Sequence, residues 1–121
     1  MAASEPAPAC QGGLKPTGVA ELLFGRNIGG RHGVTEAKWA RFLAAEITPR
    51  FPDGLTVYDA HGQWRDQASG RVTRERSKVV MIVLPGEGAD DARLRQIVEA
   101  YKSQFKQRSV GLIVRPSCVA F

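Results

Sequence analysis

Histidine and cysteine are scarce in this chain, with two of each in 121 residues. Cys10 and Cys118 stand near opposite ends with no Cys-x-x-Cys spacing, and His32 and His61 fall in separate turn-like stretches. A tetrahedral zinc site needs four such ligands at close spacings, so neither a metal nor any other cofactor is expected. Long hydrophobic runs are also missing. The longest, residues 79–84, is far shorter than the ~20 residues that cross a bilayer, and no charged-then-apolar leader precedes it. A transmembrane segment is therefore not expected. Aromatic residues make up only 7% of the chain. The Val79-Val80-Met81-Ile82-Val83-Leu84 run offers no rings on which bases could stack, which argues against nucleic acid as a partner.

Acidic residues are the minority, 12 against 17 Lys plus Arg, a formal charge of +5. The densest basic stretch, residues 65–78, is interrupted by Asp66 and Glu75, so the excess reads as solubility rather than as a nucleic-acid footprint. With 43% apolar and 24% charged residues the composition is that of a folded chain, long enough for one core and too short for two. Residues 1–17 read as a flexible Pro/Ala/Gly-rich lead-in and residues 18–121 as a single domain.

Residues 19–24 form a short apolar run closed by Gly25 and read as a first strand. Trp39, Phe42, Leu43 and Ile47 then recur at helical spacing behind Thr35, a natural N-cap, with the helix ending near Thr48. Pro49, Pro52 and Asp53-Gly54 supply a turn, residues 55–58 a second strand, and residues 61–70 a polar hairpin. A third strand, from about Val72 to Leu84, ends in the apolar run and belongs at the sheet centre. Asp90 or Asp91 should cap a second helix with Leu94, Ile97, Val98, Tyr101 and Phe105 on its apolar stripe, followed by a fourth strand over residues 110–114.

The order βαββαβ predicts an α+β, ferredoxin-like fold, a four-stranded antiparallel sheet with two helices on one face. Ala20, Leu22 and Phe24 should face the core, leaving Val19, Glu21 and Leu23 on the open face. The third strand is apolar at both parities, so its facing stays open. An apolar open face calls for a cover, and a homodimer packed sheet to sheet is expected.

Polar candidates follow from this frame. Glu21 on the open face needs a cation, Arg115 or Arg76, and with Tyr58 forms a candidate polar spot or a pair that fixes dimer register. Glu46 falls within the first helix's apolar stripe, either paired with an arginine at its edge or a tuned acid. The loop Arg26-Asn27-Ile28-Gly29-Gly30-Arg31-His32-Gly33 matches no phosphate-binding pattern and reads as a flexible connector. The two cysteines are either unrelated thiols or a disulfide closing a very long loop.

Glu21-Leu22-Leu23-Phe24-Gly25-Arg26, Arg50-Phe51-Pro52-Asp53-Gly54-Leu55-Thr56, Gly62-Gln63-Trp64-Arg65 and Glu75-Arg76-Ser77-Lys78, with Tyr101-Lys102 and Cys118-Val119-Ala120-Phe121, resemble an uncharacterised bacterial family of domains of unknown function. The resemblance covers roughly residues 10–121 and brings no activity with it. It implies small exported proteins, hence a periplasmic or secreted location with a cytoplasmic one as the alternative, and it favours a Cys10–Cys118 disulfide. Within the matching pieces, Trp64 either plugs the core or presents a stacking surface, and Trp64, Arg65, Glu75 and Ser77 could share one polar pocket.

The expectation is a non-catalytic homodimeric module that binds a small ligand or protein partner. The alternative is a cofactor-independent enzyme acting on a small substrate, with Glu21, Glu46 or Glu75 as acid/base and Arg26 or Arg65 as electrostatic stabiliser.

Overall fold

Alternation and turn chemistry translate into four long strands and two helices in the computed structural model, which describes residues 9–121. The strands are β1 (Lys15–Gly25), the short pair β2 (Asn27–Ile28) and β3 (Arg31–His32), β4 (Thr56–Arg65), β5 (Val72–Val83) and β6 (Gly111–Val119). Helix α1 (Glu36–Phe42) runs into a π-helical turn, Leu43–Ile47, and α2 spans Asp90–Phe105. The main sheet has the order β4-β5-β1-β6 with every neighbouring pair antiparallel. The molecule is thus α+β with a four-stranded antiparallel sheet and two helices.

Strand parity decides where the core lies. Ala20, Leu22 and Phe24 of β1 stand beside Ile82, Val80 and Lys78 of β5, and all five apolar side chains are buried. This settles the facing that the sequence leaves open: the even positions of β5 point to the helices and Val79, Met81 and Val83 to the other side. Against the buried face pack Trp39, Phe42 and Ile47 of the first helical segment and Leu94, Ile97, Tyr101 and Phe105 of α2. Phe24, Phe42 and Tyr101 form its aromatic centre, with ring centroids 4.7 Å (Phe24–Tyr101) and 5.0 Å (Phe42–Tyr101) apart in edge-to-face geometry.

Local chemistry sets the helix ends. Thr35 caps α1 by accepting the Lys38 N–H at 3.2 Å, as its side chain predicts. The last turn widens, Thr48 N–H bonding to Leu43 carbonyl at 2.9 Å, and Pro49 stops it. At α2 the cap differs from expectation. Ala89 occupies the N-cap position, and Asp90, the first helical residue, turns its Oδ2 back to accept the N–H groups of Gly86 and Glu87 at 2.9 and 3.1 Å.

Two segments are more ordered than their composition suggests. Residues 61–65 continue β4 rather than forming a polar loop, because each pairs with a residue of β5, His61 with Arg76 through to Arg65 with Val72. The connector after β1 forms the β2–β3 ribbon, where Gly29 and Gly30 supply the positive φ values of 60° and 82° that its turn requires. β1 itself begins at Lys15, paired with Val119, and Cys10 is joined to Cys118 by a disulfide with Cα atoms 5.5 Å apart. Residues 1–8 of the expected lead-in lie outside the described residues. No helix among the described residues is long and apolar enough to cross a membrane.

Candidate functional site

The open face of the sheet collects most of the expected polar residues. β4 contributes Tyr58, Ala60, Gly62 and Trp64 to it, β5 contributes Glu75, Ser77, Val79 and Met81, and β1 contributes Glu21, Leu23 and Gly25. Between the two aromatic side chains the floor is small. Ala60, Ser77 and Gly25 stand side by side in register, with Gly62 in the next row on this face, paired to Glu75. The Trp64 ring leans back over Gly62, close enough for a β-carbon there to touch it, and Trp64 is 51% exposed. It presents a surface rather than plugging the core.

Glu75 lies beside this floor. Its carboxylate fills the space above Gly25, where any β-carbon would overlap it, and accepts the Asn27 N–H at 2.7 Å. Only 8% of the residue is exposed. Burial pushes its carboxyl above the usual range, and the backbone N–H groups of Asn27 and Arg26 offset part of that shift. Its charge and, before that, burial also raise the pKa of Tyr101, whose hydroxyl donates to the Gly25 carbonyl at 2.6 Å.

Towards the other end, Glu21 accepts a hydrogen bond from Tyr58 Oη at 3.2 Å and pairs with Arg115, which faces the same side from β6. Burial, then the hydrogen bond to Glu21, raises the Tyr58 pKa. The apolar neighbours Leu23 and Ile113 remain exposed beside this polar spot.

Other candidates separate from this face. Glu46 pairs with Arg50 at 2.7 Å, one helical turn away on the surface. Arg65 has the opposite parity to Trp64, so it does not join Trp64, Glu75 and Ser77 in one pocket; alternation along β4 forbids it. The Arg26 side chain turns to the helix side, where Nε donates to the Val34 carbonyl at 2.9 Å and Nη1 meets Glu36 Oε1 at 3.1 Å.

A second cluster on that helix side has no counterpart in the sequence reading. Lys78, at the same parity as Val80, is 5% exposed and reaches Glu36 at 2.9 Å and Asp59 at 2.5 Å. Burial pulls its pKa down, but the hydrogen bonds it donates to Asp59 and Glu36 outweigh this and the net shift is upward. Its signal in the sequence is a lysine at a core position of the central strand. Among the described residues no group of His, Cys, Asp and Glu is arranged to hold a metal ion.

The family model described as "Protein of unknown function (DUF3574)" matches residues 19–121. The chain belongs to this family. A search of curated proteins gives no match to this DUF3574 chain. Among solved structures it is similar to a phage SAM lyase in complex with S-methyl-5'-thioadenosine, with a TM-score of 0.66 and 19% identity over 97% of each chain. The phage SAM lyase in its apo state gives a TM-score of 0.64 and 18% identity over 84% of this chain and 81% of that one. At such identities the likeness concerns the fold.

Proposed function

We propose that this DUF3574 protein is a cofactor-independent enzyme acting on a small substrate at the open face of its sheet. The observation that carries this reading is Glu75, a carboxylate buried beside an aromatic-walled, small-residue floor, with its pKa raised by that burial. A raised pKa brings proton exchange closer to neutral pH, which suits an acid or base. Trp64 and Tyr58 supply ring faces for a flat or cationic group, and Glu21 with Arg115 positions the charged end of the substrate. Neither Arg26 nor Arg65 fills that role, since both face away.

The phage SAM lyase fold, matched over nearly the whole chain, supports a small-substrate enzyme over a non-catalytic module and makes S-adenosylmethionine the first substrate to test. The strand order β4-β5-β1-β6 supports the ferredoxin-like arrangement. The disulfide supports an oxidising compartment, periplasmic or secreted. The exposed Leu23 and Ile113 support a homodimer through the part of this face that the substrate leaves bare.

The test is chromatography of S-adenosylmethionine incubated with the oxidised protein. Release of S-methyl-5'-thioadenosine by the wild type and by Glu46→Gln, and its loss in a folded Glu75→Gln, is the expected result. No product from the wild type retires the lyase reading; equal turnover in Glu75→Gln removes Glu75 from it.

A further inference from the structure

Lys78 and Arg26 are cations that the fold cannot release to solvent. Lys78 is a core-parity residue of the central strand β5, in register with Phe24 on one side and Asp59 on the other, and Arg26 is 4% exposed. A buried cation needs compensation, which normally comes from a partner buried with it. Here it comes from the surface. The side chains of Glu36 and Asp59 are 69% and 74% exposed, so the two carboxylates are held weakly and are open to exchange with solvent ions.

Glu36 makes a particular pattern of contacts. A single oxygen, Oε1, bridges Arg26 Nη1 at 3.1 Å and Lys78 Nζ at 2.9 Å, while Oε2 takes a further bond from Lys78 at 3.0 Å. That is how an oxyanion of a ligand would be held between a guanidinium and an ammonium group. Arg26, Glu36 and Asp59 line a cavity of about 230 Å³ together with His61, Arg76 and strand residues 60 and 77, and Lys78 lies behind the two carboxylates. With Lys78 beneath them counted, three cations face two carboxylates in this cluster, which leaves room in the charge balance for one more negative group. The volume is below the roughly 300–1,000 Å³ of pockets that enclose whole ligands, so it suits a charged head group rather than a complete nucleotide.

We infer that this cavity is a binding site for a small oxyanion, the carboxylate or phosphate group of a small molecule, and that the Glu36 side chain occupies the anion's place until one arrives. The charged groups of the site lie on the helix side of the sheet, and it does not rest on the enzymatic reading of the open face. Arg26 and Lys78 hold the anion, Arg76 adds positive potential, and Glu36 swings outward into solvent as it binds. A purely structural role for the cluster, tying α1 to β5, predicts no gain of anion affinity when the Glu36 charge is removed.

The experiment titrates inorganic phosphate and, separately, acetate into the ¹⁵N-labelled full chain at low ionic strength, following the Arg26 side-chain N–H and Lys78 ammonium signals. Saturable shifts of both signals are expected, with affinity rising about three- to fivefold in Glu36→Gln because one exposed competing carboxylate is gone. Asp59→Asn serves as the second variant should Glu36→Gln loosen α1. Response to phosphate alone or acetate alone assigns the group and supports the site. Unmoved signals in folded wild type and variants overturn it, and so does equal affinity in wild type and both variants.

Discussion

At Glu75 the fold disfavours the ionised side chain, because burial outweighs the N–H groups of Asn27 and Arg26. A carboxyl whose folded pKa is raised binds its proton more tightly in the native than in the unfolded state. Stability therefore falls as pH rises from the unfolded value of 4.5 through the higher folded value. Glu75→Gln should abolish that fall and stand above wild type at neutral pH, as read by urea midpoints on either side of the transition, while losing turnover. Parallel pH profiles for variant and wild type would contradict it. Gly25 belongs to the same arrangement. A methyl group there overlaps the Glu75 carboxylate, so Gly25→Ala should cost about 1–3 kcal/mol in denaturant unfolding. In Gly25→Ala/Glu75→Ala the penalty should shrink, since the overlap is gone.

Among the elements, α1 depends on charge more than α2 does. Its first residue, Glu36, has its pKa lowered chiefly by the Lys78 hydrogen bond, and the same contact lowers Asp59 on β4. A depressed carboxylate contributes stability above its unfolded pKa, 4.5 for Glu36 and 3.8 for Asp59, and loses it as pH falls through the folded value. Corrected for the intrinsic pH dependence of amide exchange, exchange in α1 should therefore quicken on acidification below about pH 4, and at high salt, before exchange in α2 does. Uniform quickening in both helices would count against it. The helices were legible because Thr35, Trp39, Phe42 and Ile47, or Leu94, Ile97, Tyr101 and Phe105, carry a 3.6-residue period. The strand identity of residues 61–65 was not, because its evidence is pairing with residues 72–76 rather than its own polar composition.

For the whole molecule, the Cys10–Cys118 bond closes nearly the full chain, a sequence separation of 108. Disulfides typically contribute about 2–4 kcal/mol, so reduction or Cys118→Ser should lower the unfolding free energy by that amount. Unchanged thermal unfolding under reductant would mean that the reduced chain keeps its ends together by other contacts. The β1–β6 pairing, from Lys15 with Val119 to Leu23 with Gly111, supplies such contacts.

Composition and periodicity determined the α+β class, the element order and the core-facing residues of β1, because these depend on spacing along one strand or helix. Tertiary structure alone decided the facing of β5, apolar at both parities, and the burial of Glu75 and Lys78. The same glutamate or lysine is solvated on one neighbour's surface and desolvated beneath another's. Burial is a property of the neighbours that a fold brings together, and those neighbours, Gly25, Asn27, Glu36 and Asp59, lie far from 75 and 78 along the chain.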